Sequence, residues 1–420
     1  MPRSTHALWS LLLVTLVGRS VDAFSGNPFI IAVPRASSAL TARAPVLENW
    51  KLLTNGRIRG TVKFHPDIPD GEQITTSPLS NPNSAGRRKT VETFSGSKYT
   101  LGEPAMIENG KMSLQDLQRK AKKDFGLTGE VVGDDNRQYL LAGRPVKSTS
   151  RKSNLFKAYR ADEDGLPKGD PVFVKMSKNW ESIEREAANY ERITKSGFTR
   201  GKFVDCLDFL PTASVITPKF KAESALIMER GRTDLKQYVA TNGKLTGRQL
   251  RQAAAAAAQC LQAVHNCGLV WTDMKTENFV ITEDGKVRGI DLESAMPVKD
   301  NPVDYSPEAT PPEFADAFLD GDGPYFTLEF SYDMWSFGML LYELAAGKGY
   351  FDGKSPLVIT RELRKGPEID LSLLDEERAD ANLKDLISKC LQLDPKKRPS
   401  IVQVLLHPYF LTTGLGPISF

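Results

Sequence analysis

After Gln138 the sequence changes its period once. "QYLLAG", "NLFKAYRA" and "PVFVKM" carry the β-branched and aromatic runs of three strands, "WESIEREAANYERI" has the period of a helix, and "ALIMER" reads as one more strand. Beyond Asp234 helices dominate, from "LKQYVA" through the long "TGRQLRQAAAAAAQCLQAVHNCG", whose run of alanines reads as plain helix propensity. Strands first and helices later predict an α+β, bilobal chain, a β-rich lobe followed by an α-rich lobe with a cleft between them.

The rest of the chain divides around that region. Apolar residues at 40% and charged residues at 25% are enough for a sizeable core. A net charge of +3 is too small to argue for nucleic acid, and the runs "GRRK" and "DPKKRP" read as solvated surface. Cys206, Cys260, Cys267 and Cys390 are scattered without a CxxC, which points to neither a disulfide framework nor a zinc site.

Residues 1–23 have Arg3, a short apolar run and the small residues of "VDA", the signature of a secretory signal. Residues 24–47 carry Arg35, Arg43, three serines and no acid, the composition of a transit segment. Together they resemble the two-part presequence of algae whose plastids lie inside endomembranes; a secreted protein with a propeptide is the alternative. The mature chain offers no further membrane span. Residues 48–104 alternate with period two between "PDG" and "SGS" breaks, predicting a small module of short antiparallel strands. Residues 105–137 form a helical linker, with Ser113 as cap and Leu114, Leu117 and Phe125 toward one face. The main domain is expected over 138–410, with a tail over 411–420.

The chemistry concentrates in "GLVWTDMKTENFVITEDGKVRGIDLESA", where Asp273, Asn278 and Asp291 lie at spacings of 5 and 13 around Lys275. Moving a phosphoryl group from ATP requires a cation on the phosphates, oxygen ligands for Mg²⁺ and an acceptor for the attacking hydroxyl's proton. Lys175, ending "VFVK", suits the phosphates, and Glu186 on the following helix is placed to pair with it. Asp273 suits the proton acceptor, Lys275 the moving phosphate, and Asn278 with Asp291 the metal.

These residues belong to a linked set: "VFVK", the hinge-like "LIMERG", "DMKTEN", "DLE", "TPPE" from Thr310, "DMWSFGMLLYEL" from Asp333 and "RPS" from Arg398. In that order and spacing, the region resembles the eukaryotic protein kinase family. The resemblance implies a protein substrate and MgATP, and Lys275 matches the serine/threonine pattern. It implies that Met228 is the gatekeeper and that Glu229 and Gly231 contact the adenine. It also implies structural roles for Glu313, Arg398 and Asp333, the first two as a buried ion pair and Asp333 as anchor of the catalytic loop.

Three departures accompany the resemblance. Ser148, Ser150 and Ser153 stand where the family's nucleotide loop has glycines, which restricts backbone freedom while leaving hydroxyls for phosphate. Trp271-Thr272-Asp273 replaces His-Arg-Asp, removing the arginine that pairs with a phosphorylated activation segment, so switching by that route is not expected. "DLE" replaces DFG, and Glu293 is expected to point to solvent rather than bind a cation. The leading reading is an active, atypical serine/threonine kinase. The alternatives are a pseudokinase that holds a nucleotide or partner without transfer, and a small-molecule phosphotransferase of related fold.

Overall fold

The computed structural model describes residues 44–53, 56–106, 114–134, 136–146, 153–195, 199–211, 214–215, 224–374 and 380–411. Residues 1–43 of the expected presequence, the linker cap Ser113, Ser148 and Ser150 lie outside them, while Val46 and Leu47, expected in the transit segment, begin the first strand.

Five strands open the described chain: β1 (Val46–Leu52), β2 (Ile58–Lys63), β3 (Gln73–Thr75), β4 (Thr90–Glu92) and β5 (Lys98–Leu101). They form one sheet in the order β3-β2-β1-β5-β4 around a core of Leu47, Trp50, Ile58, Val62, Tyr99 and Leu101. The all-antiparallel expectation fails at one place, because β1 and β5 run parallel. These two strands are far apart in sequence, so no tight turn dictates their direction. Helix α1 (Leu114–Asp124) follows. Gln118 on α1 donates through Nε2 to the carbonyls of Leu52 (3.3 Å) and Asp164 (2.7 Å), and Lys51 pairs with Asp164. The module is thereby tied to the turn of the next sheet.

That sheet has seven strands: β6 (Leu127–Gly133), β7 (Gln138–Val146), β8 (Ser153–Ala161), β9 (Pro167–Ser177), β10 (Cys206–Leu210), β11 (Ser214–Val215) and β12 (Ser224–Glu229). Their order is β10-β12-β9-β8-β7-β6-β11. β6 lies within the stretch that the sequence reads as linker; its glycines Gly129 and Gly133 interrupt the alternation that marks a strand. Helix α2 (Trp180–Thr194) crosses the sheet with Ile183, Ala187, Tyr190 and Ile193 facing the large core, a stripe at helical period.

The helical lobe begins after a short strand, β13 (Gly231–Asp234), with α3 (Leu235–Asn242) and α4 (Gly247–Asn266). Small strands β14 (Leu269–Val270), β15 (Phe279–Thr282), β16 (Val287–Gly289) and β17 (Met296–Pro297) lie at the cleft side. Helices α5 (Pro312–Asp320), α6 (Phe330–Ala346), α7 (Pro356–Arg364), α8 (Ala381–Cys390), α9 (Ile401–Leu405) and α10 (Pro408–Leu411) complete it. The α4 alanines have a packing role beyond helix propensity, since Ala253, Ala254, Ala255, Ala257 and Ala258 are all buried. Small side chains let neighbouring elements approach this helix on several sides. Gly338 does the same for α6, where a Cβ would come within 2.7 Å of Leu391. The β-rich lobe followed by a helical lobe matches the expected α+β architecture.

Candidate active site

The site is built where β9, α2 and the loops after β14 and β16 converge. Along β9, Val174 and Met176 face the strand-lobe core, so alternation turns Lys175 toward the cleft. Its Nζ lies 2.7 Å from Glu186 Oε2, 3.1 Å from Asp291 Oδ1 and 3.0 Å from Glu293 Oε2. Burial works to lower the lysine's pKa, but Asp291, Glu186 and Glu293 outweigh it and hold the ammonium well above its ordinary 10.5. Burial pushes Glu186 up, to about 7, against the pull of Lys175. For Asp291 burial raises the pKa, and the charge and hydrogen bond of Lys175 overcome it, leaving the carboxyl below its ordinary value.

Glu293 therefore does not point to solvent as expected. Its side chain is only 12% exposed and is paired with Lys175. The reason is tertiary: Arg185 Nε donates to the Glu293 carbonyl at 2.9 Å, and Asn189 Nδ2 donates to the carbonyls of Leu292 (3.0 Å) and Ala295 (2.9 Å). These bonds fasten the segment to α2 and turn Glu293 inward.

The second cluster lies on the loop between β14 and β15. Lys275 Nζ lies 2.9 Å from Asp273 Oδ2 and 2.6 Å from Ser306 Oγ. Asn278 Nδ2 donates to the Asp273 carbonyl at 2.7 Å, which leaves Oδ1 as the atom with which Asn278 would meet a cation. Burial raises Asp273 above its ordinary 3.8, partly countered by Lys275 and by the Ser306 hydroxyl. The third member of this cluster is Ser306. It arrives from a distant part of the chain, and no local motif announces it.

Backbone strain marks the same place. Thr272 has φ +54° and Asp291 has φ +63°, left-handed conformations that are costly for these residue types. Asp333, fully buried on α6, offsets the first by accepting from the N–H groups of Trp271 (2.8 Å) and Thr272 (3.0 Å). Thr272 Oγ1 donates to the carbonyls of Ser294 (3.1 Å) and Asp304 (3.0 Å), and Trp271 Nε1 donates to the Asp291 carbonyl at 2.8 Å. Away from the cleft, Arg398 holds Glu313 through two bonds of 2.6 and 2.8 Å.

Between the lobes is a cavity of about 420 Å³ whose lining includes Ser153, Lys175, Met228, Glu229, Gly231 and Asp291. Ser153 stands at the start of β8, and Met228 ends the buried run of β12. Glu229 accepts from Arg288 Nη1 at 2.6 Å. Gly231 packs so closely on Val280 that a Cβ would approach its Cβ to 2.7 Å, so a larger residue would displace the cavity floor. Of the residues named from sequence, Lys175, Glu186, Asp291, Asn278, Asp273 and Lys275 meet in two linked clusters on this cleft.

Comparison with known proteins agrees with this geometry. The sequence model of the protein kinase domain matches residues 172–410, beginning inside β9 and past β7 and β8. The chain is 31% identical over 201 residues to sperm motility kinase 2B of Mus musculus, covering 47% of this chain and 39% of that protein. It is 26% identical over 191 residues to 3-phosphoinositide-dependent protein kinase 1 of Arabidopsis thaliana, covering 42% and 38%. With calcium-dependent protein kinase 25 of the same plant it shares 28% over 188 residues, 44% and 35%. The chain thus spans well under half the length of these relatives.

Proposed function

The chain belongs to the protein kinase family, and from that footing we propose that it transfers the γ-phosphate of MgATP to serine or threonine hydroxyls of protein substrates. The observation that carries the reading is Lys175, buried and charged, held at 2.7 Å by Glu186 and at 3.1 Å by Asp291. A cation fixed in the cleft by these two carboxylates is the group that would meet phosphate oxygens. The Asp291 carboxylate and the Asn278 amide oxygen are hard oxygen donors of the kind Mg²⁺ takes. Bound there, Mg²⁺ would neutralise charge on the phosphates. Asp273, kept beside Lys275, would accept the proton of the incoming hydroxyl, and Lys275 would follow the charge of the moving group.

The Thr272 bonds to Ser294 and Asp304 support activity without phosphorylation of the activation segment, because an uncharged hydroxyl already ties that segment to the catalytic loop. A rival reading, a scaffold that holds nucleotide without transfer, draws on the grip of Glu293 on Lys175. Two variants separate the two. Asp273→Asn is expected to abolish transfer while leaving ATP affinity near that of the unmodified chain, and Asp291→Ala to weaken Mg²⁺-dependent binding as well. Substantial transfer by Asp273→Asn would remove Asp273 from its assigned role. The presequence composition supports delivery to a plastid, where stromal or photosynthetic proteins would be the available substrates.

A further inference from the structure

The acids around Lys175 outnumber it. Its Nζ engages one oxygen each of Glu186, Asp291 and Glu293, so one positive charge faces three negative ones. The charge left over equals that of one divalent cation. Neighbouring cations are engaged elsewhere, Lys275 by Asp273 and Arg185 through its Nε by the Glu293 carbonyl. Carboxylates gathered in a buried place persist where they are paired or coordinate a metal. A second observation points to the metal. The Glu186 side chain is fully buried, and its Oε1 has no hydrogen-bond partner among the described residues. Buried polar atoms are normally satisfied, and a carboxylate oxygen only accepts, so Oε1 calls for a donor or a cation.

The geometry allows one ion to be shared. Glu186, Asp291 and Glu293 each offer an oxygen within 4.8 Å of the other two. At bond lengths of roughly 2.1–2.5 Å, oxygens on opposite sides of one divalent cation stand about 4–5 Å apart. Asp291, partly exposed and lining the cavity between the lobes, gives an ion its way in. We propose that Glu186, Asp291 and Glu293 bind a divalent cation, Mg²⁺ or Mn²⁺, in the absence of nucleotide. The site differs in two ligands, Glu186 and Glu293, from the pair of Asp291 and Asn278 assigned to the metal of MgATP. An ion there neutralises the carboxylates that otherwise hold Lys175, and so frees the ammonium for phosphate oxygens.

The test is titration of the nucleotide-free full chain with Mn²⁺, followed by the paramagnetic resonance of the free ion. The unmodified chain should take up Mn²⁺ and release it to excess Mg²⁺. Glu293→Gln and Glu186→Gln keep side-chain size and remove a charged ligand; each should weaken binding by about tenfold or more. Asn278→Ala should bind Mn²⁺ as the unmodified chain does. Thermal unfolding in EDTA is expected to give the glutamine variants the same midpoint as the unmodified chain, showing them folded, and added Mn²⁺ should raise the midpoint of the unmodified chain alone. No uptake by the unmodified chain would overturn the proposal, as would unchanged affinity in either glutamine variant. An equal loss in Asn278→Ala would overturn it too, by moving the ion to the metal position of MgATP. The titration contains no nucleotide, so its failure leaves the phosphoryl-transfer reading standing, and a lack of transfer would leave the ion site standing.

Discussion

Lys175 shares its charge among three carboxylates, and Glu293 is the one that phosphate chemistry does not require. Its Oε2, 3.0 Å from the ammonium, lies beside the place where incoming phosphates would seek the same cation. Glu293→Gln removes that competing charge while preserving size. At the effective dielectric of a partly open site the change should lower the KM for ATP by roughly three- to tenfold at limiting Mg²⁺. Steady-state kinetics across a magnesium series checks this, and an unchanged KM would mean that Glu293 does not act on the nucleotide. At this scale the sequence is most legible where chemistry itself fixes residue type and spacing, as for Asp273, Lys275, Asn278 and Asp291. Glu293 and Ser306 were not legible in the same way. Their orientation depends on Arg185 and Asn189 and on the return of the segment near Ser306.

Among the elements, α6 shows how one helix serves both lobe and site. Asp333 near its start fastens the catalytic loop, and Glu343 near its end lines a cavity of about 190 Å³ beside Lys275. Burial, with Glu277 and Asp352 nearby, pushes Glu343 from 4.5 to about 7, against Lys236 and a hydrogen bond from Thr276. The folded state then holds a proton that the unfolded chain releases between about pH 4.5 and 7. Stability from this group is therefore present at low pH and lost as pH rises through that window. Glu343→Gln should flatten the decline and be more stable than the unmodified chain at pH 8, by roughly 1–3 kcal/mol. Urea unfolding of both proteins from pH 5 to 8 checks the sign, and parallel curves would contradict it. Helices α1 to α4 and strands β7, β8, β9 and β12 were legible because each has its own hydrophobic period, as α2 does. The parallel pairing of β1 with β5 and the extra strand β6 were not, since strand partners far apart in sequence leave no local signal.

For the whole molecule, the module at the amino-terminal side of α1 has its own core and meets the strand-rich lobe through Lys51, Gln118 and Asp164. None of the bonds described between them enters the cleft, so the catalytic groups are assembled without it. Ahead of the module, the composition of residues 1–47 carries a prediction about the chain in its cell. Fused to a fluorescent protein in an alga whose plastid lies inside endomembranes, that segment should deliver fluorescence to the plastid; fluorescence in the medium would identify a secreted protein instead. The central claim is that the two clusters on the cleft form a working phosphoryl-transfer site. It is tested most directly by incubating the full chain and its Asp273→Asn variant with γ-labelled MgATP and a generic basic protein. The account predicts label on the substrate from the unmodified chain, none from the variant, and ATP binding by both. ATP bound by both proteins with no label transferred by either would contradict it and leave a nucleotide-binding scaffold.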